Sequence, residues 1–174
     1  LYFKVNDGNY FFDLEFKGKF NYLLGNSGTH KTHLIKILQK LKRHVRSVRG
    51  YVSLDNENIV MNALHLYTNE DSTDVVALLE TMSRCKNDIF IIDECNSVMA
   101  YEKIGKVFKE SQNYFIILGH AVDGNLPVNV ESVFTLKATH KSIVNVPMYQ
   151  KFNIREIGEV DYILTEDSVS GRLF

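Results

Sequence analysis

The stretch Phe20-Asn21-Tyr22-Leu23-Leu24-Gly25-Asn26-Ser27-Gly28-Thr29-His30-Lys31-Thr32-His33-Leu34 decides how the rest of the chain is read. Phe20–Leu24 is a compact apolar run without alternation, which predicts a strand buried on both faces, as in a parallel sheet. Gly25 closes it. From about His30 to His44, the residues Leu34, Ile37, Leu38, Leu41 and Val45 recur at helical spacing and predict an amphipathic helix. A buried strand, a short glycine-bearing loop and a helix make the unit from which α/β domains are built.

Working outward, Leu1–Val5 and Tyr10–Phe16 read as two strands separated by Asn6, Asp7, Gly8 and Asn9, an antiparallel hairpin. Beyond the first helix, Gly50 punctuates and Tyr51–Leu54 reads as a second strand. Asn56–Tyr67 is ambiguous. Ser72 or Thr73 caps a helix through about Met82. Ile89–Ile92 is a third buried strand, a helix spans about Asn96 to Glu110, and Tyr114–Leu118 is a fourth strand. Pro127 breaks the way to a fifth, Ser132–Leu136; Ile143–Gln150 and Tyr162–Leu164 follow as short strands. Strands alternating with helices predict right-handed crossovers and a mainly parallel sheet.

The bulk properties narrow the function classes. The chain has 174 residues, 45% hydrophobic and 24% charged, which suits one ordinary globular domain. Net charge is −1, so attraction to nucleic acid or an anionic membrane would need a local patch. No apolar run reaches bilayer length and no secretory signal stands at the start. Cys85 and Cys95 make neither a disulfide framework nor a metal motif, so a reduced, cytoplasmic setting is expected. The opening on Leu1 rather than Met leads us to expect a trimmed native start.

Gly25-Asn26-Ser27-Gly28-Thr29-His30-Lys31-Thr32 can curl successive backbone N–H groups around an anion at a helix N-terminus, and Lys31 adds a full positive charge. The segment resembles the Walker A motif of P-loop ATPases, except that His30 stands where the family has glycine. The resemblance implies nucleotide bound by Gly25, Asn26, Ser27, Gly28, Thr29, His30, Lys31, Thr32 and His33, with the Thr32 hydroxyl on Mg²⁺.

Asp88-Ile89-Phe90-Ile91-Ile92-Asp93-Glu94 in turn resembles a Walker B motif with a catalytic glutamate. On that resemblance Asp93 holds Mg²⁺, Glu94 directs the attacking water and Lys31 neutralises phosphate charge. His120, after the fourth strand, resembles the switch histidine of ABC-type ATPases. The bland alternatives are a glycine-containing turn, a solvated acidic turn and a surface histidine.

Residues 1–137 resemble an ABC-type or structural-maintenance-type ATPase, but no Leu-Ser-Gly-Gly-Gln-like signature exists. Only about 35 residues separate Leu54 from the Walker B strand, too few for the helical subdomain. What remains resembles a minimal AAA-type or ABC-like core, which implies a three-layer P-loop fold over residues 1–150. Residues 151–174 are then a C-terminal extension. Its Asp161–Gly171 faintly resembles the start of a toprim nuclease domain, with Asp167 in place of the family glycine; the other reading is a final edge strand. A GTPase is disfavoured by the missing Asn-Lys-x-Asp motif, and a small-molecule kinase by Glu94 and the sparse Arg155 and Arg172.

Lys36, Lys40, Lys42, Arg43, Arg46 and Arg49 cluster at the end of the first helix. Nucleic-acid contact is the weaker reading there, and helix-dipole complementation the stronger. Cys95 reads as a core-edge residue. The expected activity is Mg²⁺-dependent ATP hydrolysis as a motor or switch in a larger assembly, with a homo-oligomer or partner protein supplying an arginine. The alternatives are a binding module whose turnover is blunted by His30, and a scaffold that has lost its ligand.

Overall fold

The structure is a computed structural model that describes residues 1–26, 28–54, 57–58, 61–68, 75–93, 98, 104–122, 126 and 129–149. Among the described residues ten strands form one sheet: β1 (Tyr2–Asn6), β2 (Phe11–Glu15), β3 (Phe20–Leu24), β4 (Arg49–Leu54), β5 (Glu57–Asn58), β6 (Leu64–Thr68), β7 (Ile89–Asp93), β8 (Tyr114–Gly119), β9 (Val133–Ala138) and β10 (Ile143–Pro147). Their spatial order is β5-β4-β1-β2-β10-β9-β3-β8-β7-β6. Three α-helices are present among the described residues: α1 (Lys31–Lys42), α2 (Val75–Arg84) and α3 (Ile104–Glu110).

The expected three-layer α/β P-loop fold with a mainly parallel sheet is overturned. Four of the nine strand pairings are antiparallel, and the described helices are short, at 12, 10 and 7 residues. The sheet is mixed and strand-dominated. The physical reason lies in strand partners that periodicity does not specify. Tyr51–Leu54 does not continue the parallel series; it belongs to β4, which lies antiparallel against β1 with Gly50 opposite Val5. Gly50 sits at φ 139°, and a Cβ there would lie 2.0 Å from the Lys4 carbonyl oxygen. Only glycine admits that approach. On the side of β7 away from β8 the parallel neighbour is instead β6, which falls in the stretch the sequence left ambiguous.

The hairpin follows its side chains. Burial alternates along β1 and β2, placing Phe3, Val5, Phe12 and Leu14 inward. In the turn the Asn6 side chain accepts from Gly8 N–H at 2.6 Å and the Asp7 carboxylate from Tyr10 N–H at 3.0 Å. The sheet's middle is seamed by β10, antiparallel to β9 over five residue pairs but parallel to β2 over two, Ile143 with Phe12 and Val144 with Asp13. The Asn145 amide reinforces that seam, accepting from Glu15 N–H at 2.8 Å and donating to the Glu15 carbonyl at 2.6 Å.

Strands β6, β7, β8, β3 and β9 run parallel to one another, and alternate residues feed two separate cores. Leu23, Ile89, Ile91, Ile116 and Leu118 pack with Leu34, Ile37 and Leu38 of α1 and with the hairpin. Tyr22, Leu24, Phe90, Ile92, Phe115 and Ile117 pack with Leu78 and Met82 of α2 and Ile104 and Phe108 of α3. Helix α1 stops before Val45, which is exposed, because His44 turns left-handed at φ 55°. No helix among the described residues is long and apolar enough to cross a membrane.

Candidate functional site

Strand β3 hands over to α1 through a loop whose shape is set by small residues. Gly25 N–H donates to the Gly119 carbonyl at 3.1 Å, tying the loop's root to the end of β8. A Cβ at Gly25 would come within 2.7 Å of Thr29 Oγ1, so glycine lets the loop close on itself. Thr29 completes the curl, its hydroxyl donating to the Asn26 carbonyl at 2.8 Å. Gly28 takes φ 86°, and His30, the N-cap of α1, takes φ 65° and ψ 4°.

The left-handed torsion at position 30 is one that glycine adopts without strain. An L-residue there brings its Cβ towards the carbonyl oxygen, whereas glycine has none. His30 makes no side-chain cap hydrogen bond. Its ring lies 5.5 Å from Tyr10 and 5.9 Å from His33, and Tyr10 and His33 are 4.4 Å apart, so three rings gather at the loop's flank.

Lys31 begins the helix and is buried, at 7% exposure. Its ammonium donates to the Gly25 carbonyl, to Thr29 Oγ1 at 3.3 Å and to the Asn26 carbonyl at 3.4 Å. These neutral acceptors hold a full charge at the floor of the loop. An anionic ligand would add charge pairing to a donor whose present partners are all neutral.

One cavity of about 270 Å³ is lined by Asn26, Gly28, Thr29, His30, Lys31, Thr32, His33, Asp93 and His120. The reason Asp93 reaches it is register. Asp93, the last residue of β7, sits opposite Leu118 of β8, and Leu24 of β3 sits opposite Gly119, so the three strands end together. His120 follows β8 at the same rim and is exposed. Thr32 and Asp93 bring a hydroxyl and a carboxylate to one space, the hard oxygen donors that Mg²⁺ favours. Gly25 stands at the root of this loop, while Ser27 and Glu94 lie outside the described residues, as do Cys95 and the tail from 150 onward.

A second cavity of about 230 Å³ adjoins the first through His30 and is lined by Asn9, Tyr10, Phe11 and residues 138–143. The sequence reading passed over Tyr10, because a tyrosine at a hairpin turn carries no signal until α1 is known to pack beside it. The basic group at the end of α1 divides. Lys40 faces Asp7 at 4.0 Å and Lys42 donates to the Leu64 carbonyl, where burial pushes its ammonium below the usual range against the pull of Asp88. Lys36, Arg43, Arg46 and Arg49 are exposed.

No protein family, no curated protein and no solved structure matches the chain.

Proposed function

We propose that the β3–α1 loop binds the phosphates of ATP with Mg²⁺, and that the chain is a P-loop ATPase domain of the kind with a glutamate after the Walker B aspartate. One observation carries this reading. The buried Lys31 ammonium and the Asp93 carboxylate, far apart in sequence, line a single cavity at the shared end of β3, β8 and β7. Ligands of open parallel sheets gather at such strand ends.

In this proposal the loop amides and the start of α1 receive the phosphates, Lys31 supplies the charge, and Thr32 and Asp93 hold the metal. Bound Mg²⁺ neutralises charge on the phosphate oxygens. Glu94 orients the attacking water, and His120 stands at the rim as a contact to the terminal phosphate. The nucleobase side falls to the adjoining cavity, where Tyr10 and His30 offer aromatic faces for stacking. Hydrolysis then serves a motor or switch role within a larger assembly.

A second reading, nucleotide binding with little turnover, is favoured by the imidazole-bearing residue at the loop's left-handed position. Thermal unfolding with ATP, ADP and GTP, with and without Mg²⁺, run beside a phosphate-release assay, separates the readings. The proposal expects Mg²⁺-dependent stabilisation by ATP, lost in Lys31→Ala and Asp93→Asn, and phosphate release lost in Glu94→Gln. Stabilisation without release selects the second reading. An unfolding temperature indifferent to every nucleotide refutes both.

A further inference from the structure

We propose that His65, Cys85 and Asp88 form a site for a divalent transition-metal ion, zinc by the chemistry of its donors, at the opposite end of the sheet from the phosphate-loop cavity. His65 comes from β6, Cys85 follows the last turn of α2, and Asp88 immediately precedes β7, whose far end carries Asp93. Their ligand atoms all lie within 4.8 Å of one another. An imidazole nitrogen, a sulfur and a carboxylate oxygen make the mixed set that zinc accepts, whereas Mg²⁺ and Ca²⁺ favour oxygen alone.

The orientation of the imidazole argues for a metal over a nucleophilic relay. In a Cys–His–Asp relay the acid and the nucleophile use different ring nitrogens. Here both partners address the same one: His65 Nε2 is 2.7 Å from Asp88 Oδ2 and 3.9 Å from Cys85 Sγ. Three donors therefore converge on one point. Around a tetrahedral zinc the nitrogen–oxygen and nitrogen–sulfur separations would be about 3.4 and 3.6 Å, so each of these two changes by less than about 1 Å.

The scaffold holds each donor in place. The His65 ring stacks on Phe90 at 4.5 Å and 16°. Asp88 is pinned on both backbone sides: its N–H donates to Asn113 Oδ1 at 3.1 Å, and its carbonyl accepts from Tyr114 N–H at 2.8 Å. Asn113 is itself fully buried and fixed through its amide to the Met82 carbonyl at 3.0 Å. Cys85 N–H donates to Thr81 at 3.1 Å, which anchors the thiol to the end of α2. Lys42, whose charge acts on Asp88, donates to the Leu64 carbonyl. His65 and Asp88 keep 18% and 19% of their side-chain surface exposed, which leaves water access to a fourth coordination position. Spacing alone did not reveal the group, because His65 reaches the other two only through the β6–β7 pairing.

The test uses the 174-residue chain with Cys95→Ser, freed of metal by chelation and titrated with Co²⁺ and then Zn²⁺, no nucleotide being present. We expect one equivalent of Co²⁺, a thiolate-to-cobalt charge-transfer band in the near ultraviolet, and displacement of Co²⁺ by Zn²⁺. Cys85→Ser removes the band, and His65→Gln and Asp88→Asn each weaken Zn²⁺ binding at least about tenfold. Circular dichroism of the metal-free variants establishes that each is folded; if one is not, the other two carry the test. Absence of the band in the parent protein overturns the site. So does unchanged affinity across the folded variants, which would leave only an ion pair with a neighbouring thiol.

Discussion

The left-handed torsion at His30 gives the sharpest energetic prediction. At φ 65° an L-residue carries about 1–2 kcal/mol of steric cost that glycine escapes. A direct His30→Gly comparison mixes this relief with loss of the ring's contacts to Tyr10 and His33. The cleaner pair is His30→Gly against His30→Ala, since both lack the ring and differ only by Cβ. Glycine loses about 0.5–1 kcal/mol more than alanine to backbone entropy on folding. Taken at their midpoints, the two effects leave glycine ahead by about 0.75 kcal/mol. For a chain of 174 residues each kcal/mol moves the midpoint by about 2–4 °C, so His30→Gly should melt about 1.5–3 °C above His30→Ala. Thermal unfolding followed by circular dichroism, repeated in urea, measures it. An alanine variant as stable as the glycine variant, or more so, would refute the claim that strain is held at this loop. If His30 also blunts chemistry, His30→Gly raises phosphate release while His30→Ala does not.

Four further outcomes are expected. Tyr10→Ala weakens ATP binding by about 1–3 kcal/mol, the worth of one stacked base, yet leaves pyrophosphate binding unchanged in isothermal titration. Gly50→Ala forces a methyl against the Lys4 carbonyl at a torsion L-residues avoid, and urea denaturation should register a loss above about 2 kcal/mol. Asn113→Ala strips partners from Asp88 N–H and the Met82 carbonyl, costing about 2–4 kcal/mol in the same assay. The hydrogen bond from Tyr2 to Asp13, with burial and the carboxylate's charge behind it, pushes the phenol from 10.0 up to about 12. Because the protonated phenol is the form the fold favours, its contribution is complete below pH 10 and disappears as pH rises towards 12. The stability gap between the parent protein and Tyr2→Phe should shrink over that interval.

The sequence made the β3–loop–α1 unit legible because three signals coincide there: an unalternating apolar run, glycines, and a helical stripe. It also placed β7 and β8, whose Ile89–Ile92 and Tyr114–Leu118 runs are nearly continuous apolar stretches. Those three segments bring Lys31, Thr32, Asp93 and His120 to the lining of one cavity. The sheet as a whole was misread. Apolar periodicity says that Tyr51–Leu54 is a strand but not that it lies antiparallel on β1, and it gave no purchase on Leu64–Thr68, whose polar His65 and Tyr67 interrupt the run. Pairing partners are tertiary facts, fixed by register and by close approaches such as that at Gly50. The convergence of His65 with Cys85 and Asp88 was hidden for the same reason.

The placement of β10 bears on how the chain comes together in time. Glu15 and Asn145 are 130 residues apart, yet they meet across the seam that joins the hairpin side of the sheet to its parallel side. Closing so long a span costs about 4 kcal/mol of chain entropy, and little is returned until β10 docks. The hairpin and the β3–α1 unit can organise locally as the polypeptide is synthesised, but cooperative completion must await nearly the whole described chain. Until then the hairpin side lacks its β10 neighbour, and that interval is when the nascent polypeptide is most vulnerable to mispairing.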